Sequence, residues 1–377
     1  MWREFLKNPD CDFSAIPEFP RRIAAVLDDE FVRISSTVKV VQESVDGTIK
    51  ILIQLQDGHE VESVIIDHTK RGDESDSGGR LTLCVSSQVG CAMKCTFCAT
   101  GTLGLSGNLL AGEILEQLWH ATQIRPGISN VVFMGMGEPL ENYDAVVAAI
   151  KGMTDAYRFG IGDNYITVST VGVVHNIYRL MDDCPSVRLA LSLHAPNQAI
   201  REQIVPTAKQ WPMEKLMEAV DYFNNHQKFK SKKKGSIMME YVVIRGVNDS
   251  IECAHELGQL LQGRKCMVNL IPFNPFEGNS FQEPLDEDTE NLRKIVASYG
   301  VIAIKRNHHG RDIAGACGQL AKVIKDIEDL DSPGCGNAAA FRQETVTYLP
   351  AQEGWRAILL RSSPLIAIAA LAFFQAR

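Results

Sequence analysis

The sequence predicts an α/β protein whose core is a largely parallel sheet, open or closed into a barrel. Two observations predict it. From Leu81 onward, apolar strand-like runs alternate with helical stretches, a pattern that implies parallel pairing with helices packed on the sheet. The motifs richest in polar and sulfur-bearing residues stand just after those runs, at the carboxyl ends of strands, where such sheets carry their chemistry.

Taken in order, the chain opens with one helical hint over Pro20–Leu27, too little for a domain alone. TVKVVQES, TIKILIQLQ and EVESVIID follow, three β-rich runs separated by Asp46-Gly47 and Asp57-Gly58, and they predict a three-stranded meander over 33–70. The polar run RGDESDSGG, from Arg71 to Gly79, reads as a loop and a boundary. The core is expected over 81–326, with strands LTLCV, SNVVFMG, YITVST, VRLALSL, SIMMEYVVI, CMVNLIPF and VIAIKR. Between them helices are expected at Ala111–Gln123, Tyr143–Met153, Met213–Asn224, Glu252–Gln262 and Thr289–Ser298. Beyond Asp326 the period is lost, and 327–377 is expected to be a poorly ordered extension whose apolar end is too short for a confident membrane span.

Composition narrows the class. With 45% hydrophobic residues in 377, a sizeable core is available; 22% charged residues and a mean hydropathy near zero exclude wholesale disorder. A net charge of −8 excludes a protein that coats nucleic acid through its overall field, so any nucleic-acid contact must be local. Ten cysteines at close, unequal spacing and no signal peptide point to a reducing compartment, with the cytoplasm as the expected location.

The strongest chemical signal is CAMKCTFC, which places Cys91, Cys95 and Cys98 in a C-x3-C-x2-C pattern after LTLCV. Three thiolates on one loop can hold three irons of a [4Fe-4S] cube and leave the fourth open. Spacing alone also admits a zinc site, which would need a fourth ligand from elsewhere.

With Phe97 before the last cysteine, this loop resembles that of the radical S-adenosylmethionine (SAM) superfamily. LCVSSQVGCAMKCTFCATG, FMGMGEPLEN, ITVSTVG, LALSLHAP, IPFNPF and DIAGACGQLA appear in the order of the RlmN/Cfr group of adenosine methyltransferases, over about Phe31 to Val323. The resemblance implies a partial (βα)6 TIM-like barrel with a small amino-terminal β-meander, and makes residues 1–32 the remnant of a helical accessory domain. It implies a [4Fe-4S] cluster on Cys91, Cys95 and Cys98, and two SAM molecules per turnover. The cofactor contacts it implies are Gly137, Glu138, Ser169, Ser192, Leu193, His194 and Asn274. Read alone, these are a turn glutamate, strand-end serines, a capped or core histidine and a turn asparagine.

Cys317 is implied to carry a methyl group as a thioether, Cys84 to be the second catalytic thiol, and Glu62 to accept a proton. By composition both cysteines are small buried hydrophobes. The implied reaction makes 2-methyladenosine in RNA through S-methylcysteine and a transient disulfide, with large-subunit rRNA and also tRNA as substrates. It is expected to need an electron donor such as flavodoxin or ferredoxin, no membrane and no second subunit. Methylation at carbon 8 by the same chemistry, or an inactive RNA-binding or zinc-binding relative, are the alternatives. For RNA contact, Lys228, Lys230, Lys232, Lys233 and Lys234 form a basic run, and Arg306, His308, His309 and Arg311 stand near Cys317.

Overall fold

Turn chemistry and period-two patterning build the first part of the molecule. A computed structural model of the chain describes residues 12–16, 20–30, 32, 34–68, 80–226 and 237–321. Helix α1 (Arg21–Glu30) precedes the antiparallel strands β1 (Thr37–Glu43), β2 (Ile49–Gln54) and β3 (Glu60–Asp67). Both hairpins turn on an aspartate whose carboxylate accepts from the backbone two residues on: Asp46 from the Thr48 amide at 2.9 Å and Asp57 from the His59 amide at 2.9 Å.

The alternating part follows as β4 (Leu81–Cys84), β5 (Gln88–Gly90), the short α2 (Ala99–Thr102), β6 (Leu105–Asn108), α3 (Ala111–Ile124), β7 (Ile128–Phe133), α4 (Tyr143–Thr154), β8 (Ile166–Thr170), α5 (Val174–Asp183) and β9 (Arg188–Ser192). Then come α6 (Gln198–Ile204), α7 (Met213–His226), β10 (Ile237–Val243), α8 (Ile251–Leu261), β11 (Cys266–Pro272), α9 (Asp286–Ser298) and β12 (Ile302–Lys305). The main sheet has ten strands in the order β1-β2-β3-β4-β7-β8-β9-β10-β11-β12. It is antiparallel from β1 to β4 and parallel from β4 to β12. β5 and β6 pair as a separate ribbon.

Register assigns the two faces. Leu83, Val131, Val168, Leu189, Leu191, Met239, Val268 and Leu270 fall on one face by pairing and period two, are fully or almost fully buried, and join the main core under the helices. Burying each such side chain contributes ~1.5–3 kcal/mol. The opposite face carries Lys50, Glu62, Cys84, Thr167, Ser169, Ser192, Glu240 and Asn269, residues that pair or alternate with one another across the same strands. One face is thus an apolar seat for helices and the other a polar interior.

The sheet is bent into a partial barrel. β4 and β12 stand six strand spacings apart, roughly 29 Å if the sheet were flat. The Cys84 thiol at the end of β4 nevertheless lies in the field of Arg306, the residue after β12. The remaining gap is spanned by side chains: Ser44 Oγ donates to Asp312 Oδ1 at 2.5 Å, and the Gly310 amide to Asp46 Oδ2 at 3.0 Å. The β1–β2 turn therefore meets the segment after β12. Among the described residues no helix is long and apolar enough to cross a membrane. The 71–79 loop, the Lys228–Lys234 run and the 327–377 extension lie outside the described residues.

Candidate active site

The cysteine loop is held on both sides by backbone. β5 delivers the chain to Cys91, whose amide donates to Gly104 O at 2.7 Å, and the short β5–β6 ribbon closes behind it. Gly90 has φ +77°, and a Cβ there would lie 1.9 Å from Gly104 O, so only glycine fits. Lys94 takes a left-handed conformation at φ 55°, which turns the chain between Cys91 and Cys95. Thr96 donates its amide to Ile204 O at 2.9 Å, while Asn279 Nδ2 donates to Thr96 O at 2.7 Å.

Burial pushes the Cys91 thiol up to about 12 and the Cys95 thiol well above its ordinary value, and each also feels the neighbouring Cys98. Burial raises Cys98 too, opposed by the Gly101 amide and by Thr100. Sulfurs in this state are poor nucleophiles, and coordination to iron is what would hold them as thiolates. Among the described residues no three His, Cys, Asp or Glu side chains converge so as to share one metal ion. That arrangement suits one thiolate per iron of a cube better than a common zinc.

The loop forms one end of a cleft with about 940 Å³ of empty space, part of it open to solvent. Cys91, Cys95, Cys98, Gly137, Glu138, Ser169, Ser192, His194, Asn274 and Cys317 all line it. Ten of the residues singled out in the sequence thus share one wall system, each at or beyond the carboxyl end of a strand. Gly137, at φ +100°, would place a Cβ 2.6 Å from Gln88 Cβ, and the adjoining Glu138 amide donates to Gln88 Oε1 at 2.8 Å. The Glu138 carboxylate accepts from Leu140 N at 3.0 Å and Val171 N at 2.9 Å; burial still raises it to about 7. Ser169 and Ser192 hydroxyls lie 3.3 Å apart across β8 and β9.

His194 sits at φ 58° with Nδ1 taking the Val242 amide at 3.1 Å. Burial, with the charge of Arg201, drives it down to about 3, so the ring is neutral and Nε2 carries its hydrogen.

The GACGQL segment crosses the cleft because it is pinned to the cysteine loop. Ala99 N donates to Gly318 O at 2.8 Å, and Thr100 Oγ1 to Leu320 O at 2.5 Å. Asn274 fixes the reactive position itself: Nδ2 donates to Cys317 O at 3.0 Å, and Oδ1 faces His308 Nδ1 at 2.9 Å. Cys317 is exposed as a residue, yet the crowded walls push its thiol up to about 11, opposed by Arg306. Burial pushes Cys84 up to about 12, Cys317 adds to that, and Arg306 opposes it. One guanidinium therefore serves two thiols. A second hollow of about 330 Å³ shares Asn274, Arg306 and Cys317 with the cleft and adds His308 and His309.

Three of the residues expected to act in catalysis or cofactor binding stand apart from the cleft. Leu193 is fully buried in the main core. Glu62 is buried on β3, where Lys50 Nζ lies 3.2 Å from its Oε1. Cys84 approaches from the floor of the sheet and does not line the open space. Arg311 is engaged by Glu283 at 2.7 Å.

The sequence reading missed two residues. Arg201, fully buried, donates to the carbonyls of Leu193, Val171 and Ser192 and so ties the ends of β8 and β9 together. An arginine in a short amphipathic helix gives no sign of burial. Glu240 lines the cleft from β10, and its signal was present: a lone acid inside the apolar run IMMEYVVI.

Residues 85–257 match the radical SAM superfamily model. The chain is 45% identical over 287 residues to the dual-specificity RNA methyltransferase RlmN of Halorhodospira halophila, covering 76% of each. It is 44% identical over 285 residues to the probable dual-specificity RNA methyltransferase RlmN 2 of Protochlamydia amoebophila, covering 74% of this chain and 75% of that one. A solved radical SAM methyltransferase from Sphaerobacter thermophilus superposes with a TM-score of 0.77 at 36% identity, over 85% of this chain and 91% of that one. The superfamily and these relatives imply a [4Fe-4S] cluster and SAM, which the thiol trio and the cleft beside it accommodate. The chain belongs to the RlmN family of radical SAM RNA methyltransferases.

Proposed function

We propose that the chain converts adenosine to 2-methyladenosine in RNA, with large-subunit rRNA and also tRNA as substrates, through a methyl group carried on Cys317. The observation that carries this reading is the convergence of Cys317 and the Cys91, Cys95, Cys98 trio on one cleft, with the Cys84 and Cys317 thiols both in the field of Arg306. Carbon 2 of adenine has no lone pair, so direct polar methyl transfer is closed to it. When bound, the cluster and SAM supply a methyl group and, after one-electron cleavage of the sulfonium, a 5′-deoxyadenosyl radical.

The chain's own residues do the rest. Cys91, Cys95 and Cys98 hold the cluster; Glu138, Ser169, Ser192, His194 and Asn274 line the space for SAM, with Gly137 permitting close approach. Arg306 favours the Cys317 thiolate that takes the methyl group, and Cys317 then presents that carbon, once a hydrogen atom has been removed from it, to the ring edge. Covalent attachment to the ring splits a forbidden step into feasible ones. Glu62, on the same sheet face as Cys84, receives the ring proton. Attack of the Cys84 thiolate on the Cys317 sulfur forms a disulfide and breaks the bond from that sulfur to the transferred carbon, which takes up a proton; the unpaired electron passes to a one-electron acceptor, a role the bound cluster would fill, and cellular reductant opens the disulfide. An external one-electron carrier such as flavodoxin or ferredoxin resets the cluster, and a single copy of the chain suffices.

The test is anaerobic incubation with SAM, reductant and large-subunit rRNA, followed by nucleoside mass spectrometry. The expected product is 2-methyladenosine; 8-methyladenosine alone would overturn the assigned carbon. Cys317→Ala should abolish product, while Cys84→Ala should accumulate a covalent protein-RNA adduct visible on a denaturing gel. Normal turnover by either variant would remove the thiol roles.

A further inference from the structure

Glu240 is 3% exposed and faces the cleft from β10, one strand over from Ser192. Its Oε2 accepts from Asn269 Nδ2 at 2.9 Å, and Arg306 Nη1 stands 3.9 Å away. Its Oε1 has no hydrogen-bond partner among the described residues. A carboxylate oxygen left bare in the interior is costly, and selection for solubility or packing would replace it by an apolar side chain. Burial raises the Glu240 carboxyl above its ordinary value, opposed by Arg306 and by Asn269, and the bare carboxyl oxygen is an acceptor that awaits an N–H or O–H donor.

The cleft narrows the identity of that donor. An extruded nucleotide keeps its sugar and phosphate at the strand it came from, and only its base edge reaches inward. Glu240 lies on the sheet face and shares the cleft lining with Cys317. Adenine carries one donor group on its edge, the exocyclic amine. We infer that Glu240 Oε1 accepts a hydrogen bond from the exocyclic amine of an adenine bound in the cleft. Two adenines visit it, that of the RNA target and that of SAM, and the standing of Glu240 beside Arg306, 3.9 Å away, with Cys317 in the same lining, assigns the contact to the target. Glu240 is then a specificity-determining residue: the same carboxylate would repel the O6 of a guanine. The inference rests on the adenosine methylation proposed above.

The experiment uses the full reconstituted chain and an rRNA fragment bearing the adenosine that the wild type methylates. A second fragment carries purine ribonucleoside at that position, which lacks only the amine. Wild type should bind the adenosine fragment about tenfold or more tightly than the purine fragment, the size expected where loss of the donor leaves a buried acceptor unpaired. Glu240→Ala should bring the two affinities within about twofold, with iron content unchanged. Glu240→Gln, which keeps the shape and a neutral acceptor, should retain a preference of only a few fold and carries the test if the alanine variant does not fold.

SAM affinity is measured in parallel without RNA. A roughly tenfold loss there in Glu240→Ala, with the RNA preference intact, would place the same contact on the cofactor's adenine. An unchanged RNA preference together with unchanged SAM affinity overturns the inference. Failure of the wild type to methylate adenosine would instead overturn the functional reading, which makes the two failures distinguishable.

Discussion

Single side chains in this interior carry large electrostatic loads. Lys50 and Glu62 are both almost fully buried, 3.2 Å apart, on adjacent strands. Lys50→Met removes the buried cation 3.2 Å from Glu62 and should cost about 3–5 kcal/mol in a urea titration. The double variant Lys50→Met with Glu62→Leu should recover most of that, because an apolar pair of similar volume replaces the ions. His194 gives a pH signature. Its ring is driven down to about 3 in the fold, against an ordinary 6.5 when unfolded. The unfolded chain therefore binds the proton first: the contribution is present above pH 6.5 and is lost progressively as pH falls from there to about 3. A His194→Gln variant should lack that part of the acid destabilisation, on the order of several kcal/mol, when the two unfolding curves are compared from pH 7 to pH 4.

At the scale of elements, the β5–β6 ribbon shows how a few residues of backbone position metal-binding thiols. Gly90→Ala has no side chain to push aside, since its clash is with the Gly104 carbonyl, and its φ is already left-handed. The variant should be destabilised by about 1–3 kcal/mol and should bind markedly less iron after reconstitution, as read by the cluster's visible absorbance. Helices at Tyr143–Thr154 and Asp286–Ser298 emerge where period and length announce them. The ribbon did not, because strands as short as Gln88–Gly90 carry no readable period. α5 and the short α6 also went unread: VHNIYRLMDD interrupts its apolar spacing with polar residues, and Gln198–Ile204 is shorter than the window over which periodicity speaks.

For the whole molecule, the division between scaffold and site is physical. The main core lies between the outward face of the sheet and its helices, whereas Met93, Cys95 and Phe97 pack in a second, smaller cluster with Val171, Val205 and Phe273. A triple Cys91→Ser, Cys95→Ser, Cys98→Ser variant should therefore keep its far-ultraviolet circular dichroism and unfold cooperatively while losing all cluster absorbance. Collapse of the secondary structure in that variant would show that the cluster loop supports the barrel. The two bodies of contact meet at the carboxyl ends of the strands, where rigid elements hand mobile chemistry its geometry.

Local sequence determined the alternation of strands and helices, the two aspartate turns and the cysteine spacing, because each depends on residues within about one turn or one strand of each other. Ser169, Ser192, Asn274 and Cys317 were singled out through the family resemblance of the motifs around them; read alone they are strand-end serines, a turn asparagine and a small apolar side chain. Only the tertiary structure decided that the Cys84 and Cys317 thiols share the field of Arg306, that Lys50 holds Glu62, and that Glu240 lines the cleft with one oxygen unpartnered among the described residues. Those facts depend on register across the bent sheet and on which strands lie beside which, and a pairing between residues far apart in the chain leaves no trace in the neighbours of either one.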